Sequence, residues 1–263
     1  MWQEILESQR GEDPPRLSVE DAIILYDEAD FNLLRSVAME RRRYVNRGNT
    51  VTYMIDRNVN YTNVCTINCH FCSFYRTPGH AESYTQSYEQ ISKRISELED
   101  VDGVRVLMQG GVNPELPLKW YTDLIQYLRE KHPSIDLDCF SPIEIEGIAE
   151  VCGKTTLEVL NELKNAGMHG LPGGGAEMLV DDVRLGLSPM KGSAENWLRV
   201  MHEAQSLDLT TSATNVFGFG EKTLHRVKHM EKIRNLQDKA LANGWEGFTS
   251  FIAWPVQLEN NVF

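Results

Sequence analysis

The sequence of 263 residues lacks an excess of basic charge and any long apolar run. Its formal net charge of −12 disfavours a nucleic-acid partner, because phosphate binding needs a basic surface. Its apolar runs are far too short for a helix that crosses a bilayer, which excludes that kind of membrane protein. The first ten residues lack the charged start, apolar core and cleavage site of a secretion signal, which predicts a cytoplasmic protein. No internal repeat or low-complexity segment occurs.

Cysteine is scarce as well. The chain has five cysteines, and an odd number in a reducing compartment does not favour disulfides. Cys139 and Cys152 are separated by a spacing of no particular meaning, and we expect both to be buried small apolar residues. A second C-x₂-C pair, which a closed zinc site usually shows, is missing.

The other three cysteines are close together, with the spacing C-x₃-C-x₂-C at Cys65, Cys69 and Cys72. Three such thiolates can hold three corners of a [4Fe–4S] cluster and leave the fourth iron open to a substrate or cosubstrate. Zinc is the weaker alternative: His80 could supply a fourth ligand, whereas His70, between two cysteines, cannot easily turn onto the same metal. The spacing, with Phe71 just before the last cysteine, favours the cluster.

Apolar stretches alternate with helical periodicity along most of the chain. The strand-like stretches lie near 59–65, 103–108, 135–140, 167–171, 209–217 and 247–253. Repetition of strand and helix gives a parallel sheet, and this many units tends to curl towards a barrel. We therefore predict an α/β fold: a TIM-like (β/α) barrel, open and six-stranded, over residues 47–263. Residues 1–46 form an N-terminal region, with a loose arm over 1–17 and helices near 18–28 and 30–46.

Three apolar stripes with helical spacing are expected to face the core and not a cofactor. They comprise Ile91, Ile95 and Leu98; Leu118, Tyr121, Leu124, Ile125 and Leu128; and Trp197, Val200, Met201 and Ala204. His225 and His229, one helical turn apart, could bind a metal. On a helix this rich in Lys and Arg they are predicted instead to form a surface face.

Unusual residues follow the predicted strands, at the end of a barrel where chemistry gathers. Gly110 and Gly111 follow the second strand; they could let backbone approach a ligand or form a plain turn. Ser141 follows the third strand. Glu177 ends the turn after the fourth, where it either binds a ligand or takes a proton, or is an acidic residue at a helix N-terminus.

Several strings resemble the radical S-adenosylmethionine enzymes, and among them the dehypoxanthine futalosine cyclases of menaquinone biosynthesis. These strings are VTYMIDRNVNYTNVC, FCSFYR, VLMQGGVNPELPL, SPIEI, LPGGGAEML and GFTSFIAWP. The resemblance covers about residues 18–260. Aminofutalosine synthase and the large subunit of deazaflavin (FO) synthase are close relatives, but the string DRN-x-NYTNVC favours the cyclase.

The resemblance implies two cofactors, a [4Fe–4S] cluster and S-adenosyl-L-methionine, and an external one-electron donor of the flavodoxin or ferredoxin type. The implied reaction begins when a 5′-deoxyadenosyl radical takes a hydrogen from the ribose of dehypoxanthine futalosine. The carbon radical then adds to the aromatic ring of the substrate, and loss of an electron and a proton gives the cyclic spiro product. The protein supplies placement and a dry cavity.

The same resemblance implies roles for individual residues. The cluster would be bound by Cys65, Cys69 and Cys72. Gly110 and Gly111 would meet the methionine end of the cosubstrate, and Phe71 would lie beside its adenine. Ser141 and Glu177 would be polar contacts to cosubstrate or substrate, with Glu177 as the catalytic candidate.

This sequence departs from the family pattern in places. Phe219 and Gly220 replace a His-Val pair, and Gln205 stands where His is usual. Family chains also continue further, with additional strands. We therefore expect the sixth strand to expose an edge that invites self-association or a partner chain. A sister radical enzyme, or an inactive homologue that binds only a cluster or a partner, remains an alternative function.

Overall fold

The protein is described by a computed structural model that covers residues 1–257 and residue 259. Six parallel strands form one sheet, and their spatial order follows the chain. The strands are β1 (Asp56–Val59), β2 (Arg105–Met108), β3 (Asp136–Cys139), β4 (Gly170–Leu171), β5 (Thr210–Phe217) and β6 (Phe248–Pro255). The sheet curls into a half-barrel, which confirms the predicted fold class.

Ten helices accompany the sheet within the described residues. Those before the sheet are α1 (Trp2–Ser8), α2 (Val19–Glu28) and α3 (Phe31–Val45). Those between the strands are α4 (Tyr88–Glu99), α5 (Leu118–Lys131), α6 (Pro142–Cys152), α7 (Thr156–Ala166), α8 (Asp181–Leu187), α9 (Ala194–Ser206) and α10 (Thr223–Ala242). The Ser18 side chain accepts a hydrogen bond from the Asp21 N–H and so caps α2 as the sequence predicts. None of the described helices is both long enough and apolar enough to cross a membrane.

The prediction of a loose N-terminal arm is wrong for its first half. Residues 2–8 form α1, and Leu6 is buried in a small cluster with Leu25 of α2 and Val37 of α3. Burial of apolar side chains against two following helices supplies the stabilisation that a helix of this length lacks in water.

The first strand lies earlier than predicted, because β1 ends at Val59 and not near residue 65. The chain beyond it leaves the sheet and pairs with a later segment. Thr62 forms an antiparallel bridge with Thr85, and its hydroxyl donates to the Tyr84 carbonyl at 2.7 Å. The Asn63 amide donates to the Glu82 carbonyl at 3.0 Å. The segment leading to Cys65 is therefore held by the chain that follows the cysteines.

The main core lies between the sheet and its helices, and every residue of the three predicted apolar stripes is buried in it. Cys139 is fully buried in this core, as predicted, whereas Cys152 is only partly buried and packs against it. Strand β6 is different. Phe251, Ile252 and Trp254 are 47%, 42% and 42% exposed, which leaves apolar side chains along this edge of the sheet in contact with water.

Candidate active site

One cavity of about 260 Å³ gathers the predicted site residues at the carboxyl ends of β2, β3 and β4. We call it the cysteine cavity. Its walls include Cys65, Cys69, Cys72, Phe71, Gly110, Gly111, Ser141 and Glu177, together with Gln109, Glu144 and Lys191. The structure thus brings together every residue that the sequence suggested for cluster and cosubstrate.

The cysteine loop is fixed by backbone hydrogen bonds at both ends and in the middle. The Cys65 N–H donates to the Arg76 carbonyl at 2.9 Å, and the Cys72 N–H donates to the Cys69 carbonyl at 3.1 Å. Between them, the His70 N–H donates to the carbonyl of Leu187 at the end of α8, at 3.0 Å. The three thiols therefore face the same cavity from a constrained loop.

The chemistry of the donor set fits an iron–sulfur cluster. All three thiols are free and only partly buried. Among the described residues, no three Cys, His, Asp or Glu side chains converge on a single ion, and a cluster does not require it, since each thiolate binds its own iron. His80, the fourth ligand that zinc would need, is exposed outside the cavity lining, and its Nδ1 accepts a hydrogen bond from the Glu82 N–H at 3.0 Å.

Gly110 and Gly111 are required first of all by close backbone packing. A Cβ on Gly110 would lie 2.8 Å from ring atoms of Tyr61. A Cβ on Gly111 would lie 2.2 Å from the Val64 carbonyl oxygen and 2.7 Å from Cys65 Cβ. The turn after β2 is thus wedged against the segment that leads into the first cysteine, and any larger residue would displace that segment.

Glu144, which the sequence reasoning missed, binds this turn from inside the protein. Its carboxylate accepts hydrogen bonds from the Gly110 N–H at 2.9 Å, the Tyr61 hydroxyl at 2.8 Å and the Ser141 hydroxyl at 2.6 Å. Burial raises the pKa of Glu144 to about 7, against the effect of these donors. The acidic residue three positions after a Ser-Pro helix start was the available signal.

Glu177 is held in a group of buried charges. Its backbone has a φ of +40°, and its side chain is 13% exposed. The Lys191 ammonium lies 2.8 Å from one carboxylate oxygen, and the Arg184 guanidinium lies 3.6 Å from the other. Glu177 precedes α8 by four residues, so the helix N-terminal alternative does not describe it. Nothing in the sequence pattern singled out the two cations.

The same lysine reaches two members of the cysteine loop. Its ammonium lies 5.1 Å from the centroid of the Phe71 ring, a cation–π distance. Burial raises the pKa of Cys69, while the charge of Lys191 acts to lower it and the charge of Glu177 acts to raise it. Buried charged side chains, those of Lys191 and Glu177, therefore lie on one side of the cysteine loop.

The two departures from the family pattern lie at opposite ends of the sheet. The Phe219 ring is 5.2 Å from the Phe71 ring, and the Phe219 N–H donates to the Glu221 carboxylate at 2.7 Å, so this change is at the site. The Gln205 amide instead donates to the Thr211 hydroxyl at 3.2 Å, near the amino-terminal start of β5. Its change therefore does not alter the cavity wall.

The prediction of a surface face for the two histidines of α10 is wrong for His229. That side chain is fully buried, and its Nδ1 accepts a hydrogen bond from the Leu179 N–H at 2.9 Å. Burial lowers its pKa to about 4. His225 Nδ1 accepts from the Lys222 N–H at the start of the same helix, so His225 caps α10 while His229 binds the segment before α8.

Sequence comparison identifies the family. The profile of the radical SAM superfamily matches residues 59–233, and the chain belongs to this superfamily of enzymes. Its members use a [4Fe–4S] cluster and S-adenosylmethionine. A cyclic dehypoxanthine futalosine synthase from Halalkalibacterium halodurans is 41% identical over 96% of this chain and 67% of its own length.

Other relatives carry different names. A 5-amino-6-(D-ribitylamino)uracil–L-tyrosine 4-hydroxyphenyl transferase from Nostoc sp. is 33% identical over 91% of this chain and 63% of its own length. The FeFe-hydrogenase maturase HydG from Carboxydothermus hydrogenoformans has the same fold, with a TM-score of 0.76 and 18% identity over all of this chain and 58% of that one. The chain thus spans about two thirds of the length of these two curated relatives.

Proposed function

We propose that this chain is a radical S-adenosylmethionine enzyme that cyclises dehypoxanthine futalosine in menaquinone biosynthesis. The observation that carries the proposal is the 41% identity to a cyclic dehypoxanthine futalosine synthase across nearly the whole chain, against 33–36% to hydroxyphenyl transferases. The gathering of the motif residues around one cavity supports it.

In this proposal Cys65, Cys69 and Cys72 hold the cluster. The cluster, when bound, supplies the electron that divides S-adenosylmethionine into methionine and a 5′-deoxyadenosyl radical. The contribution of the chain is to keep three thiols at one wall of a cavity and to leave the opposite wall for the cosubstrate. The wedged glycines serve this purpose, because they fix the distance between the turn after β2 and the cysteine loop.

Polar groups of the opposite wall suit the two ends of the cosubstrate. The Ser141 hydroxyl donates a hydrogen bond to Glu144, so its oxygen is left to accept one, such as a hydrogen bond from an ammonium group. Phe71 offers an aromatic face for adenine. Glu177 lies beside two cationic neighbours, and its carboxylate can accept hydrogen bonds from ribose hydroxyls while it keeps these ion pairs.

The lumen of the half-barrel suits a polar, hydroxyl-bearing substrate. A second cavity of about 160 Å³ shares Gln109 and Gly174 with the cysteine cavity. Hydroxyl side chains line it at Thr210, Thr211, Ser212, Thr214, Thr249 and Ser250. A substrate held there lies next to the cosubstrate, as hydrogen transfer from a ribose requires.

The proposal includes an external one-electron donor of the flavodoxin or ferredoxin type, a cytoplasmic location, and self-association or a partner chain along β6. The exposed apolar side chains of β6 motivate the last of these. Catalytic roles for Glu177 and contacts of the glycines with methionine are part of the same proposal.

The test is to incubate the anaerobically reconstituted protein with reductant, S-adenosylmethionine and one of three alternative substrate sets. Dehypoxanthine futalosine should accelerate 5′-deoxyadenosine release and give a product of the mass of the spiro compound. Acceleration only by the substrates of aminofutalosine synthase, or only by tyrosine with the ribitylaminouracil, would move the assignment to a sister enzyme. Cluster binding with no release under any condition would favour the inactive homologue.

A further inference from the structure

We propose that Lys191 raises the reduction potential of the iron–sulfur cluster by placing a buried ammonium group in the wall of the cysteine cavity, beside the loop that holds Cys69 and Cys72. This inference rests on the proposed function, because it presupposes that Cys69 is a cluster ligand. Lys191 would then act on the cluster through its charge, without touching the reacting atoms.

The ammonium group is fixed in place by the fold. The Lys191 side chain is 5% exposed and belongs to the turn between α8 and α9. Its backbone N–H donates to the Ser188 carbonyl at 3.0 Å, which closes the turn. The start of the same turn, at Leu187, accepts the hydrogen bond from His70 in the cysteine loop. The lysine and the cysteine loop are therefore joined by backbone as well as by side chains.

Of the two cations near Glu177, Lys191 lines the cysteine cavity and Arg184 does not. Arg184 also interacts with the charges of Asp181 and Glu146. Arg184 is directed mainly to backbone, since it donates to the carbonyls of Gly175, Ala176 and Gly192 at 2.7–3.0 Å. The Lys191 ammonium lies 5.1 Å from the centroid of the Phe71 ring, and Phe71 stands between Cys69 and Cys72 in the loop. Lys191 is thus the buried cation placed to act on a cluster held by these cysteines.

A positive field at a cluster sulfur favours reduction. One-electron reduction adds a negative charge to the cluster, and a fixed cation stabilises the reduced state more than the oxidised state. Hydrogen bonds to cluster sulfurs and net charge near the cluster are established determinants of potential. Burial strengthens the effect, because solvent screens a buried charge less than an exposed one. Loss of Glu177 should act in the opposite direction, since it removes the neutralising charge.

The experiment is an EPR-monitored redox titration of reconstituted protein without S-adenosylmethionine, with dithionite as the electron source. Lys191→Met should lower the equilibrium constant for reduction at least tenfold, which for one electron is a shift of about 59 mV to more negative potential. Lys191→Arg should stay close to the parent, and Glu177→Gln should shift to more positive potential. Lys154→Met, which removes an exposed lysine paired with Glu162, is the matched control and should change nothing.

Equal potentials in the parent and Lys191→Met, at equal iron and sulfide content, would overturn the inference. If Lys191→Met fails to hold a cluster, Glu177→Gln decides: a shift to positive potential supports the inference and an unchanged or negative shift refutes it. If the lysine had only a structural role, Lys191→Met and Glu177→Gln would not shift the reduction potential in opposite directions. Absence of a cluster in the parent protein would instead refute the proposed function, so the two failures are distinct.

Discussion

The cysteine cavity and the β6 edge face water in different ways. Around the cavity, polar groups such as Glu144 and Lys191 are almost fully buried and have several partners each. Along β6, apolar side chains such as Ile252 and Trp254 are more than two fifths exposed. Burying charge is costly unless it is paired, so the first arrangement is built for a purpose inside the chain. The second arrangement leaves apolar surface in water, and burial of that surface against another chain or segment would be stabilising.

This difference separates two functions of the chain, the binding of cluster and cosubstrate and the enclosure of the substrate. The residues proposed to bind the cluster and S-adenosylmethionine are held by contacts among residues 61–192, to which β5 and the turn after it add Val216 at Glu177 and Phe219 at Phe71. The wall of the lumen that would enclose a substrate includes Thr249, Ser250, Ile252 and Trp254 of β6. Cluster chemistry and substrate enclosure should therefore respond to different substitutions.

The largest effect is expected at the cysteine cavity. Replacement of Cys65, Cys69 or Cys72 by Ala should abolish cluster binding in each case, because each thiolate holds a different iron. Cys139→Ala and Cys152→Ala are the matched controls, since neither side chain lines the cavity, and both should keep the parent's iron and sulfide content. Iron and sulfide analysis after reconstitution is the measurement. Full cluster content in any one of the first three variants would remove that cysteine from the site.

The second effect concerns the pH dependence of stability at the buried carboxylate. Glu144 keeps its proton in the folded protein up to about pH 7. In the unfolded chain the carboxyl group loses its proton near its ordinary pKa of 4.5. The native state therefore binds more protons between these values, and its contribution to the free energy of unfolding falls as pH rises through this range. The loss is up to about 3 kcal/mol.

Urea unfolding at pH 5 and pH 8 measures this effect. Between these pH values the free energy of unfolding of the parent should fall by up to about 3 kcal/mol more than that of Glu144→Gln, whose side chain cannot ionise. Glu150→Gln, on the exposed end of the same helix, is the control and should follow the parent. An identical pH dependence in the parent and Glu144→Gln would show that the carboxyl group ionises in the folded protein as it does in water.

The smallest effect is expected at the β6 edge. Trp254→Ser should weaken self-association about tenfold or more, equivalent to about 1.4 kcal/mol, because it removes exposed apolar surface beside an edge strand. Sedimentation velocity over a concentration series measures this, and the cluster content should not change. Val51→Ser, which removes an apolar side chain that is 77% exposed away from β6, should leave association intact. A parent protein that stays monomeric at every concentration would contradict the prediction.

The same two regions show what local sequence can and cannot predict. The six strands and the cap at Ser18 follow from short-range patterns, namely apolar runs between helical periods and a side chain three residues from its partner. The displacement of β1 does not, because side chains of Thr62 and Asn63 bind a segment that lies about twenty residues further on. Local signals do not report such pairings.

Buried polar residues escaped prediction for the same reason. Lys191 acts on Glu177, fourteen positions away, and on Cys69, more than a hundred positions away. Glu144 binds the Tyr61 hydroxyl across 83 positions. His229 was expected on a surface because its helix is basic, but the Leu179 N–H turns it inward. Motif spacing found the thiols and the glycines, whereas the charges that surround them became visible only after folding.

The most direct test of a three-thiol site with an open iron is the EPR spectrum of the reduced, reconstituted protein before and after addition of S-adenosylmethionine. We expect about four irons and four sulfides per chain and a spectrum that changes on addition of the cosubstrate, because its binding alters the iron that lacks a cysteine ligand. Stoichiometric zinc without iron uptake, or a cluster whose spectrum is the same with and without S-adenosylmethionine, would contradict the site proposed for this chain.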